Sequence, residues 1–146
     1  MENLPISTAA RRLTPSELHD FDKSGYLQAL PVFAAAAVPQ LQKRLHELEA
    51  QMPADVPISG VNMWHKANRW LYDLARTPTI LDYVEDLIGP DFFQWGGGFF
   101  VKYPGEGNFV PWHQDSQYWP LSPRKTVTAS LAFYDGTRDN GAMQVL

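Results

Sequence analysis

The residues best suited to chemistry lie in one stretch, FFVKYPGEGNFVPWHQDSQYW, from Phe99 to Trp119. Within it, His113-Gln114-Asp115 sets an imidazole and a carboxylate two residues apart, and an extended backbone points such side chains to the same face. That face offers a neutral nitrogen and an anionic oxygen to one point, while Gln114 faces the other way. The pair suits a divalent iron ion of the two-His-one-carboxylate kind, which keeps further positions open for substrate and oxygen. A second His must complete the set. So short a tripeptide also arises by chance, and its plainer reading is a turn histidine bonded to a nearby Asp. The chain has no cysteine, so thiolate metal sites, thiol nucleophiles and disulfides are excluded and any metal has to be held by His and carboxylates.

Positioning such a pair takes a core. A chain of 146 residues, 45% hydrophobic and 13% aromatic, is long and apolar enough for a single domain spanning 1–146. The net charge of -4 gives no basic field for nucleic acid or an anionic membrane. No run has the 18 or so uncharged apolar residues of a membrane span, and residues 1–13 carry no such segment, so a soluble, cytoplasmic protein with a loose N-terminal leader is expected.

From 14 to 90 the pattern is mainly helical. Thr14-Pro15-Ser16-Glu17 reads as a capping box with Pro at the first helical position. The helix it opens would bury Leu18 and Phe21 and stop at Gly25. Tyr26 to Leu30 alternates weakly, as a strand would. Val38, Leu41, Leu45 and Leu48 fall at helical spacing and predict an amphipathic helix over about Ala35 to Gln51, with His46 one residue off the stripe and read as solvated. Val61, Met63 and His65 alternate, and Asn68 can cap a helix carrying Trp70, Leu71 and Leu74. His65 sits in a polar and aromatic patch that could overhang an active site, but nothing in spacing ties it to His113. Thr77-Pro78 starts another helix, whose stripe of Leu81, Val84, Leu87 and Ile88 ends at Gly89-Pro90.

From 91 to 146 the pattern is that of strands, at Phe92 to Gly96, Gly98 to Tyr103, Phe109 to Asp115, Thr126 to Tyr134 and Ala142 to Leu146, separated by Gly, Pro and Asn. Gly96-Gly97-Gly98 is no phosphate loop, since it lacks the Gly-Lys-Ser/Thr ending and opens a strand. Asp139-Asn140-Gly141 reads as a hairpin turn with positive backbone angles at Asn140-Gly141. Helices first and short strands after predict an α+β fold with a mainly β core, a cupin-like double-stranded β-helix or jelly roll with the N-terminal helices packed on one side.

Taken in order, Lys102-Tyr103-Pro104-Gly105, Trp112-His113-Gln114-Asp115, Tyr118-Trp119 and Asn140-Gly141 resemble the phytanoyl-CoA dioxygenase family of iron(II)- and 2-oxoglutarate-dependent oxygenases. The close match covers Leu81 to Leu146, and the helix and Gly-Tyr-Leu at the N-terminus extend it with lower specificity. The resemblance implies Fe(II), 2-oxoglutarate as cosubstrate and O2, with His113 and Asp115 as metal ligands and catalytic residues. It also implies hydroxylation of an unactivated C–H of a small-molecule substrate, with succinate and CO2 as coproducts. Halogenating relatives have Ala or Gly in place of Asp115, so the acid favours hydroxylation. Lys102 matches a lysine that in some relatives helps hold 2-oxoglutarate, and an ammonium suits that dianion; its plainer role is a surface lysine. Thr128 and Ser130 share a face where relatives contact the cosubstrate, and sequence leaves open which is used, some relatives having Trp at the place of Ser130. Trp112, Tyr118 and Trp119 form an aromatic rim that packs either a substrate or the core.

The family's distal His, and the Arg that pairs with the far carboxylate of 2-oxoglutarate, have no counterpart in these 146 residues; His19 and His46 lie on predicted outer helices. The expectation is an N-terminal portion of such an oxygenase, or one whose remainder is supplied elsewhere, an incomplete jelly roll that binds iron weakly, turns over poorly and invites homodimerisation or aggregation through open sheet edges. Two other readings stand beside it: a jelly-roll module binding a small molecule without iron, and a non-catalytic structural relative acting through its edge.

Overall fold

Capping and apolar spacing account for most of the helices. In the computed structural model, residues 4–107 and 109–146 are described; Met1 to Asn3 of the leader and Asn108 of the Phe99 to Trp119 stretch lie outside them. Helix α1 runs Pro15–Ser24, with the Thr14–Glu17 capping box formed and Gly25 closing it at φ 78°. Leu18 and Phe21 are half-buried rather than buried. A 3-10 turn, Ala35–Ala37, leads into α2, Val38–Glu49, which buries Leu41, Leu45 and Leu48. Helix α3 is the single turn Trp64–Ala67, entered from Met63 at φ 59°. Helix α4, Arg69–Ala75, is capped by Asn68, whose side chain accepts from the Leu71 amide. Helix α5, Pro78–Ile88, ends at Gly89, φ 87°.

The core sits between α2, the 3-10 turn Ile58–Gly60 and α3, as a cluster of Leu45, Leu48, Ile58 and Trp64 against which Met52, Val61, Leu71, Phe99, Val101 and Phe133 pack. Residues 4–13 are tied down at several points. Ile6 bridges Phe33, Leu13 is buried, and Arg12 reaches Asp82, Glu85 and Asp86 on α5.

The predicted jelly roll is overturned. Among the described residues there is no strand ladder and no sheet; the isolated Ile6–Phe33 bridge stands alone, and Tyr26 to Leu30 and the five segments expected as strands from Phe92 to Leu146 are unpaired. The period-two pattern is nonetheless present as burial. Phe99 and Val101 are half-buried while Phe100 and Lys102 are exposed, and Leu131 and Phe133 alternate likewise with Ala132 and Tyr134. Alternation needs only an extended backbone, whereas a ladder needs a second extended segment in register. Here the segments are instead pinned to the helical layer. Phe99 meets Trp64 and Phe133 edge-on at 6.1 and 6.2 Å, and Trp70 meets Phe133 at 6.3 Å. Gln42 Nε2 donates to the Phe133 carbonyl at 2.8 Å, and the Trp64 amide donates to the Gly97 carbonyl at 3.3 Å.

Candidate functional site

Gln114, after His113, is extended at φ -119° and ψ 123°, and the chain then enters a 3-10 turn, Asp115–Gln117. This places the imidazole and the carboxylate on one side. His113 Nε2 lies 3.1 Å from Asp115 Oδ1, and Nδ1 lies 2.8 Å from the Pro111 carbonyl. A carbonyl can only accept, so Nδ1 carries the hydrogen and a neutral ring leaves its Nε2 lone pair facing the carboxylate. The approach is satisfied by a proton on Nε2, which makes the contact an ion pair, or by a metal ion that takes both atoms. The Pro111 carbonyl, together with Asp115, accordingly raises the His113 pKa above its ordinary value. The ring of Tyr118 stands edge-on to His113, centroids 5.7 Å apart.

Asp115 Oδ2 accepts from the Thr128 hydroxyl at 2.8 Å, while Oδ1 is the oxygen beside His113 Nε2. Lys102 is elsewhere. Its Nζ donates to the Gly141 carbonyl at 3.4 Å. Gly141, at φ 86°, closes a turn held by Thr137 and Asn140: the Thr137 amide donates to Asn140 Oδ1 at 2.7 Å, and Asn140 Nδ2 donates to the Asp135 carbonyl at 2.6 Å. A 3-10 turn, Arg138–Asn140, thus replaces the expected hairpin, with the positive angle at Gly141 and not at Asn140. Among the described residues no hydrogen bond or ion pair joins Lys102 or Ser130 to the His113–Asp115 pair. Trp112 and Tyr118 are exposed, at 61% and 69%, and Trp119 is half-buried.

The other histidines do not supply a third ligand. Among the described residues no group of three or more His, Cys, Asp or Glu could hold a metal. His46 Nε2 pairs with the Tyr134 hydroxyl at 2.8 Å, and the Nδ1 atom of His65 is buried without a hydrogen-bond partner. Two surface grooves, one of about 540 Å³ along α2 at Pro39, Gln42 and His46 and one of about 190 Å³ between Glu49, Pro57 and Tyr103, include neither His113 nor Asp115. The pair itself lies on an open face.

Sequence reasoning missed three contacts here: the Pro111 carbonyl under His113, the Thr128 hydroxyl on Asp115, and Lys102 lying over Gly141. The Pro two residues before the His was the one local signal. The other two join residues 13 and 39 positions apart, which no spacing rule reaches.

As a donor set, the His113–Asp115 pair fits ferrous iron. It offers an imidazole with its far nitrogen already hydrogen-bonded, as metal-ligating histidines almost always have, and a carboxylate beside it. Among the described residues no helix is long and apolar enough to cross a membrane. No curated protein and no solved structure matches the chain. The family model for phytanoyl-CoA dioxygenase (PhyH) matches residues 21–146, a span that includes every residue of the site just described, and the chain therefore belongs to the phytanoyl-CoA dioxygenase family.

Proposed function

We propose that this chain carries two of the three protein ligands of an Fe(II)- and 2-oxoglutarate-dependent dioxygenase that hydroxylates an unactivated C–H of a small-molecule substrate. The observation that carries the reading is the placement of His113 Nε2 beside Asp115 Oδ1, 3.1 Å apart, with Nδ1 held by the Pro111 carbonyl. When bound, the iron with its cosubstrate and O2 supplies the oxidation that turns C–H into C–OH, releasing succinate and CO2. The chain's own residues do the holding. His113 and Asp115 take the metal, Lys102 offers an ammonium to the 2-oxoglutarate dianion, and Trp112, Tyr118 and Trp119 border the substrate. Among the described residues no second imidazole joins the pair, and two protein ligands alone bind iron weakly.

Anaerobic addition of Fe(II) and then 2-oxoglutarate tests this, with the visible charge-transfer band of the chelate as the readout. The band is expected to be weak for the 146-residue chain, strong once a segment carrying the missing His and Arg is added, and abolished in both by His113→Ala. A folded, extended chain without the band would sink the oxygenase reading. Ligand binding that persists without iron and survives His113→Ala would instead favour the binding module, which the exposed Trp112 and Tyr118 would serve.

A further inference from the structure

We propose that Thr128 is a positioning residue for Asp115: its hydroxyl holds Oδ2 so that Oδ1 alone is presented to the point shared with His113 Nε2. This rests on reading that pair as metal-binding. A carboxylate has two equivalent oxygens and can swing to present either or both. In this protein the 2.8 Å bond from Thr128 Oγ1 restrains that freedom by holding Oδ2, while the 3.1 Å approach of Oδ1 to Nε2 marks the other oxygen as the one on offer. Threonine suits the task because its branched β-carbon stiffens χ1 and keeps the hydroxyl aimed.

The anchor is remote from the metal pair. Thr128 lies on the segment that α2 holds at Phe133 and Tyr134, through Gln42 and His46. Its hydroxyl therefore links Asp115, on a one-turn 3-10 element, to the helical layer. A hydroxyl has one hydrogen to donate. Thr128 spends it on Asp115 and cannot also donate it to an anionic cosubstrate oxygen. Ser130, two residues on, makes no hydrogen bond among the described residues.

The test is an electron paramagnetic resonance titration of the 146-residue chain with Mn(II) as the metal probe and no 2-oxoglutarate present, comparing wild type, Thr128→Val and Thr128→Ser. Thr128 is exposed and valine keeps its shape, and circular dichroism checks that each variant is folded. The expected result is a Mn(II) affinity lower by about tenfold or more for Thr128→Val, recovered by Thr128→Ser. Equal Mn(II) affinity for wild type and Thr128→Val overturns the proposal and leaves the metal reading standing. So does a Thr128→Val loss confined to 2-oxoglutarate affinity, which would make Thr128 a cosubstrate contact. No Mn(II) uptake by folded wild type, even at Mn(II) concentrations that saturate a weak two-ligand site, overturns both.

Discussion

Gly141 shows how a residue without a side chain can govern one that has chemistry. A Cβ there would sit 2.8 Å from Lys102 Nζ and 2.9 Å from its Cδ, and the backbone is at φ 86°. Gly141→Ala should therefore cost about 1–2 kcal/mol of stability from the left-handed conformation and also push Lys102 off the turn. If Lys102 serves the cosubstrate, the variant's 2-oxoglutarate affinity falls by more than its stability loss explains, and calorimetric titration of the iron-loaded extended chain measures it. Unchanged affinity would remove Lys102 from the site. The Asn-Gly pair was legible as a turn from sequence; that the turn serves as a rest for Lys102 was not, because the two meet only after residues 102 and 141 have been brought together by packing.

Among the elements, α1 gives the cleanest pH prediction. The Arg11 guanidinium, through a two-pronged 2.7 Å contact, and then the Thr14 amide and hydroxyl hold the Glu17 carboxyl down at about 2, from an ordinary 4.5. A carboxylate depressed in the folded state stabilises above its unfolded value and loses that contribution as pH falls through its folded one. Glu17→Gln should therefore lower the melting temperature at neutral pH, with the difference shrinking from about pH 4.5 and gone near pH 2. The Arg11–Glu17 pair is open to solvent on the Arg11 side, so salt should shrink the difference too. Melting curves of both proteins across that range decide it. Helix α2 carries the packing prediction: Leu45, 6% exposed within the core cluster, should cost about 2–5 kcal/mol when cut to Ala, measurable by urea unfolding. Its stripe was read from spacing for Leu41, Leu45 and Leu48, which are buried, while Val38 is half-buried. That of α5 was not, since Ile80 and Tyr83 are the buried residues while Leu81, Val84, Leu87 and Ile88 are half-buried. The turn of that helix about its axis is set by distant partners, the Pro31 carbonyl accepting from the Tyr83 hydroxyl at 2.9 Å and Arg12 drawing Asp82, Glu85 and Asp86 to its side.

Over the whole molecule, apolar side chains are unevenly covered. Phe93, Phe100, Phe109, Trp112, Tyr118, Met143 and Leu146 are each at least 61% exposed, all of them after residue 90. So much exposed apolar surface is unusual for a monomer, and unpaired extended segments add free amides and carbonyls. Sedimentation velocity should show association rising with protein concentration, and a sharp monomer at every concentration would contradict it. The local features were written in the sequence: helix ends at Thr14, Asn68 and Gly25, the alternation of Phe99 to Lys102, and the His113–Asp115 spacing that brings two donors together. Each depends on backbone conformation within a few residues. Pairing into a sheet, the bond from Thr128 to Asp115 and the rest of Lys102 on Gly141 were decided by the tertiary structure, because a hydrogen-bonding partner far along the chain is chosen by which segments the core holds side by side. In this protein the core holds the extended half through side chains on helices, and alternation therefore ends as burial and not as a ladder.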